Sequence, residues 1–289
     1  MRGGMMRRLP INLLPETSFF RQEILIDNHF HNIIFNNFMN PLFSIITVTY
    51  NAASTLPATL RSVGEQTCKL FEYLVIDGAS RDNTVELARN SGIEQISIIS
   101  EPDKGLYDAM NKGLGIAKGD YVIFLNAGDT FHNANTLQLI ADTVMDNDYP
   151  GIVYGQTQIV DSARKRIGDR HLTAPAILTL DSFKDGMVVC HQAFVVLRKL
   201  VDNFDTRYRF SADYEWCIRC LQRSHRNCYI DRIIIDYLSE GVTTANHRAS
   251  LWERFKIMAH YFGFFPTLFR HIGFFIRDRK RKRQEKNKV

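Results

Sequence analysis

From Phe43 to about residue 145 the chain alternates short apolar runs with amphipathic stretches, and this alternation narrows the possible folds more than any other feature. Phe43–Thr49 (FSIITVT), 72–76, 95–99 and 121–125 are apolar runs, rich in β-branched residues, of the length expected for strands buried on both faces. Between them, residues 54–66 place Leu56, Leu60 and Val63 at helical spacing. Asp82 is positioned to cap a helix from 83 to 92, and further helices are expected from Gly105 to about 118 and from about 133. Such alternation predicts an α/β fold with a mostly parallel central sheet, flanking helices and right-handed crossovers. In an open sheet of this kind, ligands bind beyond the carboxyl ends of the strands.

The segments at those ends are Tyr50-Asn51, 77–82, 101–105 and 126–129, all polar or acidic. They should bring Asp77, Asp82, Asp103 and Asp129 together, where like charges repel unless a cation or hydrogen-bond donors are present. An aromatic at Tyr50 can stack on a nucleobase and Asn51 can hydrogen-bond it, although an Asn-capped turn has the same composition. Gly78 permits close backbone approach beside Asp77, Ser80 and Asp82, but a plain strand-to-helix turn uses the same residues. Asn126-Ala127-Gly128-Asp129 is a short acidic loop of the kind that gives Mg²⁺ or Mn²⁺ one carboxylate, with phosphate and water completing the shell; an ordinary helix cap is the alternative.

Four elements, SIITVTYN, LVIDGASRDNT, SEPDKGLYDAMNKGLGIAKGDY and IFLNAGD, occur in this order between residues 44 and 129. This run resembles the family 2 glycosyltransferases, which have the GT-A (nucleotide-diphospho-sugar transferase) fold and build many bacterial surface polysaccharides. The resemblance implies a nucleotide-sugar donor lying against Thr49, Tyr50, Asn51, Asp77, Ser80, Asp82, Gly105 and Asn126. Tyr50 and Asp77 would hold the nucleobase, and Ser80 or Asp82 would lie near the ribose. Asp129 would bind the Mn²⁺ or Mg²⁺ that bridges the diphosphate. Many relatives carry two or three acids where this chain has Asn126, so Asn126 becomes a neutral ligand or a hydrogen-bonding residue.

The second half is less regular. A hairpin is expected from 152–161 and 165–172, strands at 188–197 and 228–237, and a helix at 213–223. Ser211-Ala212-Asp213-Tyr214-Glu215-Trp216 offers carboxylates at a helix start, and transfer to a hydroxyl needs a base for its proton. By the resemblance, Asp213 matches the second member of an acidic pair that supplies the base of inverting enzymes. Ala212 replaces the first member, and Glu215 is the rival. His191 and Gln192 match a pair found on the acceptor side of relatives, though a hydrogen-bonded core histidine is an equal reading.

Two competing motifs fail. The glycine-rich stretch 113–119 ends a helix before a strand, the reverse of a dinucleotide fingerprint, and no P-loop sequence occurs. The resulting expectation is an inverting, metal-dependent transferase acting on a glycan or lipid-linked acceptor. A non-catalytic nucleotide- or glycan-binding relative is the alternative, and a sugar-phosphate nucleotidyltransferase is a more distant one.

Charge and termini complete the reading. The formal net charge is +5, yet residues 277–289 alone carry eight Lys/Arg against Asp278 and Glu285, so the rest of the chain is close to neutral. A nucleic-acid partner, which would want basic residues spread over a folded face, is not expected. Five cysteines and no cleavable leader pattern fit a reduced, cytoplasmic chain, with the Cys217–Cys220 pair in the core. Residues 1–38 read as a poorly ordered or non-native extension, with Met39 as a candidate start. The folded domain is expected over 39–245, with the donor site at about 43–131 and the acceptor part at about 150–245. Residues 246–289 form an amphipathic helical segment with a basic tail. Residues 251–276 are too interrupted by charge to span a bilayer; with the tail, residues 251–289 suit the anionic inner face of a membrane, and a helix packed on the domain is the competing reading.

Overall fold

The structure is a computed structural model that describes residues 41–239 and 247–274. The expected N-terminal extension, Met39 and residues 275–289 lie outside the described residues. Contacts divide the chain into two units, Met1–Pro41 and Leu42–Val289, and the second is described below.

Strand β1 (Phe43–Thr49) is buried along its whole length. The hydroxyls in this apolar run are all partnered: Ser44 donates to Glu72, Thr47 to the Leu125 carbonyl and Thr49 to Asp77. Burial of each large apolar side chain contributes about 1.5–3 kcal/mol, and satisfied hydroxyls avoid the cost of burying polar groups. Helix α1 (Leu56–Gly64) starts with Pro57 in its first turn and buries Leu56, Leu60 and Val63, the spacing read from the sequence. Strand β2 (Phe71–Asp77), helix α2 (Thr84–Arg89), strand β3 (Ile96–Ser100), helix α3 (Leu106–Ile116) and strand β4 (Tyr121–Phe124) follow. Helix α2 starts one residue later than expected, with Asn83 rather than Asp82 at its cap position; Asp82 lies just before it, and its Oδ1 accepts the Thr84 N–H and the Thr84 hydroxyl.

Beyond β4 come β5 (Thr130–Phe131), α4 (Thr136–Asp146), β6 (Ile152–Val160), β7 (Arg166–Asp169), β8 (Phe194–Leu197), α5 (Ala212–Arg223), β9 (Asn227–Leu238) and α6 (His247–Phe262). The sheet order is β3-β2-β1-β4-β8-β6-β9-β5, with β7 on β6. The β3-β2-β1-β4 half is parallel throughout. In the other half β8 runs antiparallel to β4 and β6, β5 antiparallel to β9, and β6 parallel to β9. The expected hairpin forms as β6–β7. The expected strand at 188–197 is shorter, because Cys190 to Ala193 closes a tight turn, with the Ala193 N–H donating to the Cys190 carbonyl. That turn points His191 and Gln192 inward.

At the amino ends of the strands, Glu72 Oε1 accepts the Ser44 hydroxyl and the Lys118 and Gly119 N–H groups. A Cβ on Gly119 would collide with the β1 backbone, so only glycine lets this turn close under the sheet. Helix α5 docks over β4 through an aromatic cluster. Trp216 stacks on Phe204 at 5.0 Å and meets Phe124 edge-on at 5.8 Å, while Tyr107 of α3 stacks on Phe204 at 5.5 Å. Cys217 and Cys220 are free and buried in the same core. Helix α6 packs on α5: Ile257 and Met258 are buried, and Tyr261 donates to Glu215.

Candidate functional site

Each of the four segments leaving the carboxyl ends of β1 to β4 contains one residue in the left-handed region: Asn51, Ala79, Gly105 and Gly128. Two of these are not glycine, and such backbone is retained only where surrounding bonds fix it. The fixing group is Asp77. Its Oδ1 accepts the Thr49 and Ser80 hydroxyls, and its Oδ2 accepts the Ser80 N–H and the Ser100 hydroxyl at 2.7 Å. Burial alone would raise its pKa, but the bonds from Ser80, Ser100 and Thr49 outweigh this and hold the carboxyl below the usual range. One carboxylate thus ties the ends of β1, β2 and β3 together.

Around this knot, Asn51 donates its N–H to Ser80 Oγ and accepts the Arg81 N–H, and Asp82 accepts the Ala53 N–H. Tyr50 is 66% exposed, an aromatic face open to a ligand. A Cβ on Gly78 would clash with the Asp103 carboxylate and lie 3.3 Å from the Tyr50 ring, so glycine is what lets these side chains approach. Asp103 in turn accepts the Gly105 N–H. Thr49, Tyr50, Asn51, Asp77, Ser80, Asp82 and Gly105 therefore stand in one connected set of loops.

The second part of the site is built from residues distant in sequence. Asp213, at the start of α5, accepts the Tyr107 hydroxyl at 3.0 Å on Oδ1 and faces His191 Nδ1 at 3.3 Å with Oδ2. His191 Nε2 lies 3.3 Å from Asn126 Nδ2. An imidazole protonated at Nδ1 satisfies both contacts, donating to Asp213 and accepting from Asn126. Asn126 Oδ1 is buried and has no hydrogen-bond partner among the described residues. Burial opposes the charge on Asp213, but His191, Arg254 and the Tyr107 hydroxyl prevail, so its pKa lies below the usual range. Burial and the Asp213 charge raise the Tyr107 phenol well above normal. Asp213 and Trp216 are three residues apart on one helix face, so the aromatic cluster that seats Trp216 also fixes Asp213.

Asp129 and Glu215 are differently disposed. Asp129 is 4% exposed; its Oδ1 accepts the Leu238 N–H at 2.9 Å and its Oδ2 the Gln192 amide at 2.6 Å. Burial pushes its pKa up to about 6, against those two bonds. Glu215 is buried under α6, with both oxygens on the Arg219 guanidinium and Oε1 also on the Tyr261 hydroxyl. Among the described residues no group of three or more His, Cys, Asp or Glu is arranged to hold a metal ion. Asp129 is enclosed with both oxygens bonded, and Asn126 contributes one neutral, buried oxygen. This donor set does not fit a divalent cation as it stands.

Sequence reasoning missed Tyr107, the Leu238 N–H and the α6 residues that hold α5. Tyr107 lies inside the SEPDKGLYDAMNKG run, but its partner is 106 residues away.

The chain matches the family described as glycosyl transferase family 2 over residues 44–204, more than half its length. It is 37% identical over 187 residues to a PGL/p-HBAD biosynthesis glycosyltransferase of Mycobacterium bovis, covering 62% of this chain and 70% of that one. It is 29% identical over 196 residues to the amylovoran biosynthesis glycosyltransferase AmsB of Erwinia amylovora, covering 61% and 63%. Among solved structures, S. aureus TarS 1-349 superposes with a TM-score of 0.60 at 20% identity, over 80% of this chain and 72% of that one. The mannosyltransferase PcManGT from Pyrobaculum calidifontis, solved with GDP-Man and Mn²⁺, gives 0.57 at 17% identity over 80% and 69%. With this match and the GT-A architecture of its sheet, the chain belongs to glycosyl transferase family 2.

Proposed function

We propose that this glycosyltransferase moves a sugar from a nucleotide-sugar donor to a hydroxyl of a glycan or lipid-linked saccharide, with inversion, in the synthesis of a cell-surface glycan. The observation that carries the reading is the position of Asp213: an ionised carboxylate with 17% of its side chain exposed, oriented by His191 and Tyr107. The neighbouring wall is formed by Asn126, from the segment after β4. In the reaction, the acceptor oxygen bonds the anomeric carbon as the bond from that carbon to the nucleoside diphosphate breaks, and the hydroxyl proton passes to Asp213. A single displacement inverts the centre and needs no covalent intermediate. Glu215, whose oxygens are committed to Arg219 and Tyr261, is the weaker candidate for base.

On the donor side, Tyr50 stacks on the nucleobase and the loops tied by Asp77 line the nucleoside, with Asn51, Ser80, Asp82 and Gly105 along it. Asn126, whose Nδ2 meets His191 Nε2, lies between the nucleoside loops and Asp213. His191 and Gln192 stand between this side and the acceptor. Support for a nucleotide-sugar donor comes from the TarS structure with UDP-GlcNAc and the PcManGT structure with GDP-Man. The expected Mn²⁺ or Mg²⁺ has no fitting donor set at Asp129, so no step here runs through it. Asp129 acts instead as a positioning residue that clamps Gln192 and the end of β9.

A screen of nucleotide sugars, with and without chelator, for release of nucleoside diphosphate and for transfer to saccharide acceptors tests the proposal. Turnover of a donor, with the product anomeric configuration inverted, is the expected result. Binding of a donor without turnover under any condition would favour a non-catalytic relative.

A further inference from the structure

Helix α6 and the helical stretch 264–274 present an apolar face to water. Residues Phe265 and Phe269 are each 69% exposed, and with the half-exposed Ile272 they fall at i, i+4 and i+7, one stripe along the helix. The stripe is continuous with α6: Phe255 meets Phe264 edge-on at 5.8 Å and stacks on Trp252 at 5.6 Å, and Trp252 is itself 59% exposed. The opposite side of α6 is already used, since Ile257 and Met258 are buried in the core. A contiguous aromatic surface of this kind, outward-facing on a folded chain, marks an interaction site.

What it meets is indicated by charge. Lys256 Nζ sits 5.5 Å above the Trp252 ring, and the sequence immediately after the stripe carries eight Lys/Arg with a net charge of +6 over 277–289. Single-stranded nucleic acid is bound by cations interleaved with stacking rings. Here the apolar stripe comes first and the cations follow it as a block, the pattern of a segment that inserts rings below lipid headgroups and pairs its charges with acidic ones. No helix among the described residues is long and apolar enough to cross a membrane.

We infer that Trp252, Phe264, Phe265, Phe269 and Ile272 dock the protein on an anionic lipid surface, the partner complementary to the net charge of +6 carried in the sequence by 277–289. The test is co-sedimentation of the full chain with vesicles of phosphatidylcholine alone or mixed with phosphatidylglycerol. Wild type should sediment with the anionic vesicles only, and less so as salt rises. Phe265→Ser and Phe269→Ser should each weaken binding about tenfold with an unchanged melting temperature, since both side chains are exposed. The paired variant Lys280→Glu with Lys282→Glu should weaken it further. Equal sedimentation with neutral and anionic vesicles, or binding unaffected by the Phe substitutions, would overturn the inference. So would a self-association or single-stranded oligonucleotide binding that depends on Phe265 and Phe269 while vesicle binding is absent.

Discussion

The parallel half of the sheet and the mixed half hold their acids in different ways. In the parallel half, Asp77 is enclosed by donors from the strand ends beside it, all within 28 residues in sequence. In the mixed half, Asp213 is held by Tyr107 and His191, from an early helix and a later turn, and Asp129 by Leu238, 109 residues away. The first arrangement closes on itself; the second exists only once the core has assembled around Trp216 and β9. Damage to the first should therefore spread through its loops, whereas damage around Asp213 should alter chemistry before it alters stability.

The largest expected effect is that of Asp77→Ala, which leaves four donors without their acceptor. It should cost about 3 kcal/mol in urea unfolding and remove donor binding at the same time. Loss of donor binding at full stability would mean that the loops hold themselves and Asp77 only contacts ligand. Asp129→Asn comes next. Because the folded carboxyl sits at about 6, above its unfolded value near 3.8, this group costs stability where it is ionised. The cost, roughly 3 kcal/mol at full ionisation, is present above pH 6 and is relieved as pH falls from 6 towards 4. Urea titrations across that window should show wild type losing stability relative to Asp129→Asn as pH rises, and a parallel pair of curves would refute this. The same variant should leave any Mn²⁺ concentration dependence of donor binding unchanged.

Smaller effects belong to the residues around Asp213. His191→Gln should lower kcat about tenfold without changing donor affinity. It should also move the acidic limb of the kcat profile to higher pH, because His191 helps hold the Asp213 carboxyl low and the base must be unprotonated to act. An unmoved limb would separate His191 from Asp213. Tyr107→Phe removes one hydrogen bond to Asp213 and should cost about threefold in kcat, in the same direction on the pH axis.

The same contrast explains what could be read from the chain. The β1 to β4 alternation and the loops after them were legible because each loop is written in consecutive residues, from Thr49 to Asn51 and from Asp77 to Asp82. Local periodicity also placed α5 and β9. It did not show that 188–193 leaves the strand, because that turn is set by inward bonds from Gln192 to Asp129 and from His191 to Asp213. Asp129 looked like an open metal ligand by its place in an acidic loop, and only the fold brings the Leu238 N–H and Gln192 amide onto its two oxygens. Glu215 and Asp213 lie two residues apart and could not be ranked from sequence; α6 covers one and leaves the other at the edge of the site.

The most direct test of the central claim is to measure donor affinity and transfer rate side by side in wild type and Asp213→Asn, using a donor found by the screen. If Asp213 is the base and the donor is held by the parallel half, the variant binds donor as wild type does and transfers about a thousandfold more slowly. Transfer at a rate near that of wild type would remove Asp213 from the reaction and contradict the account.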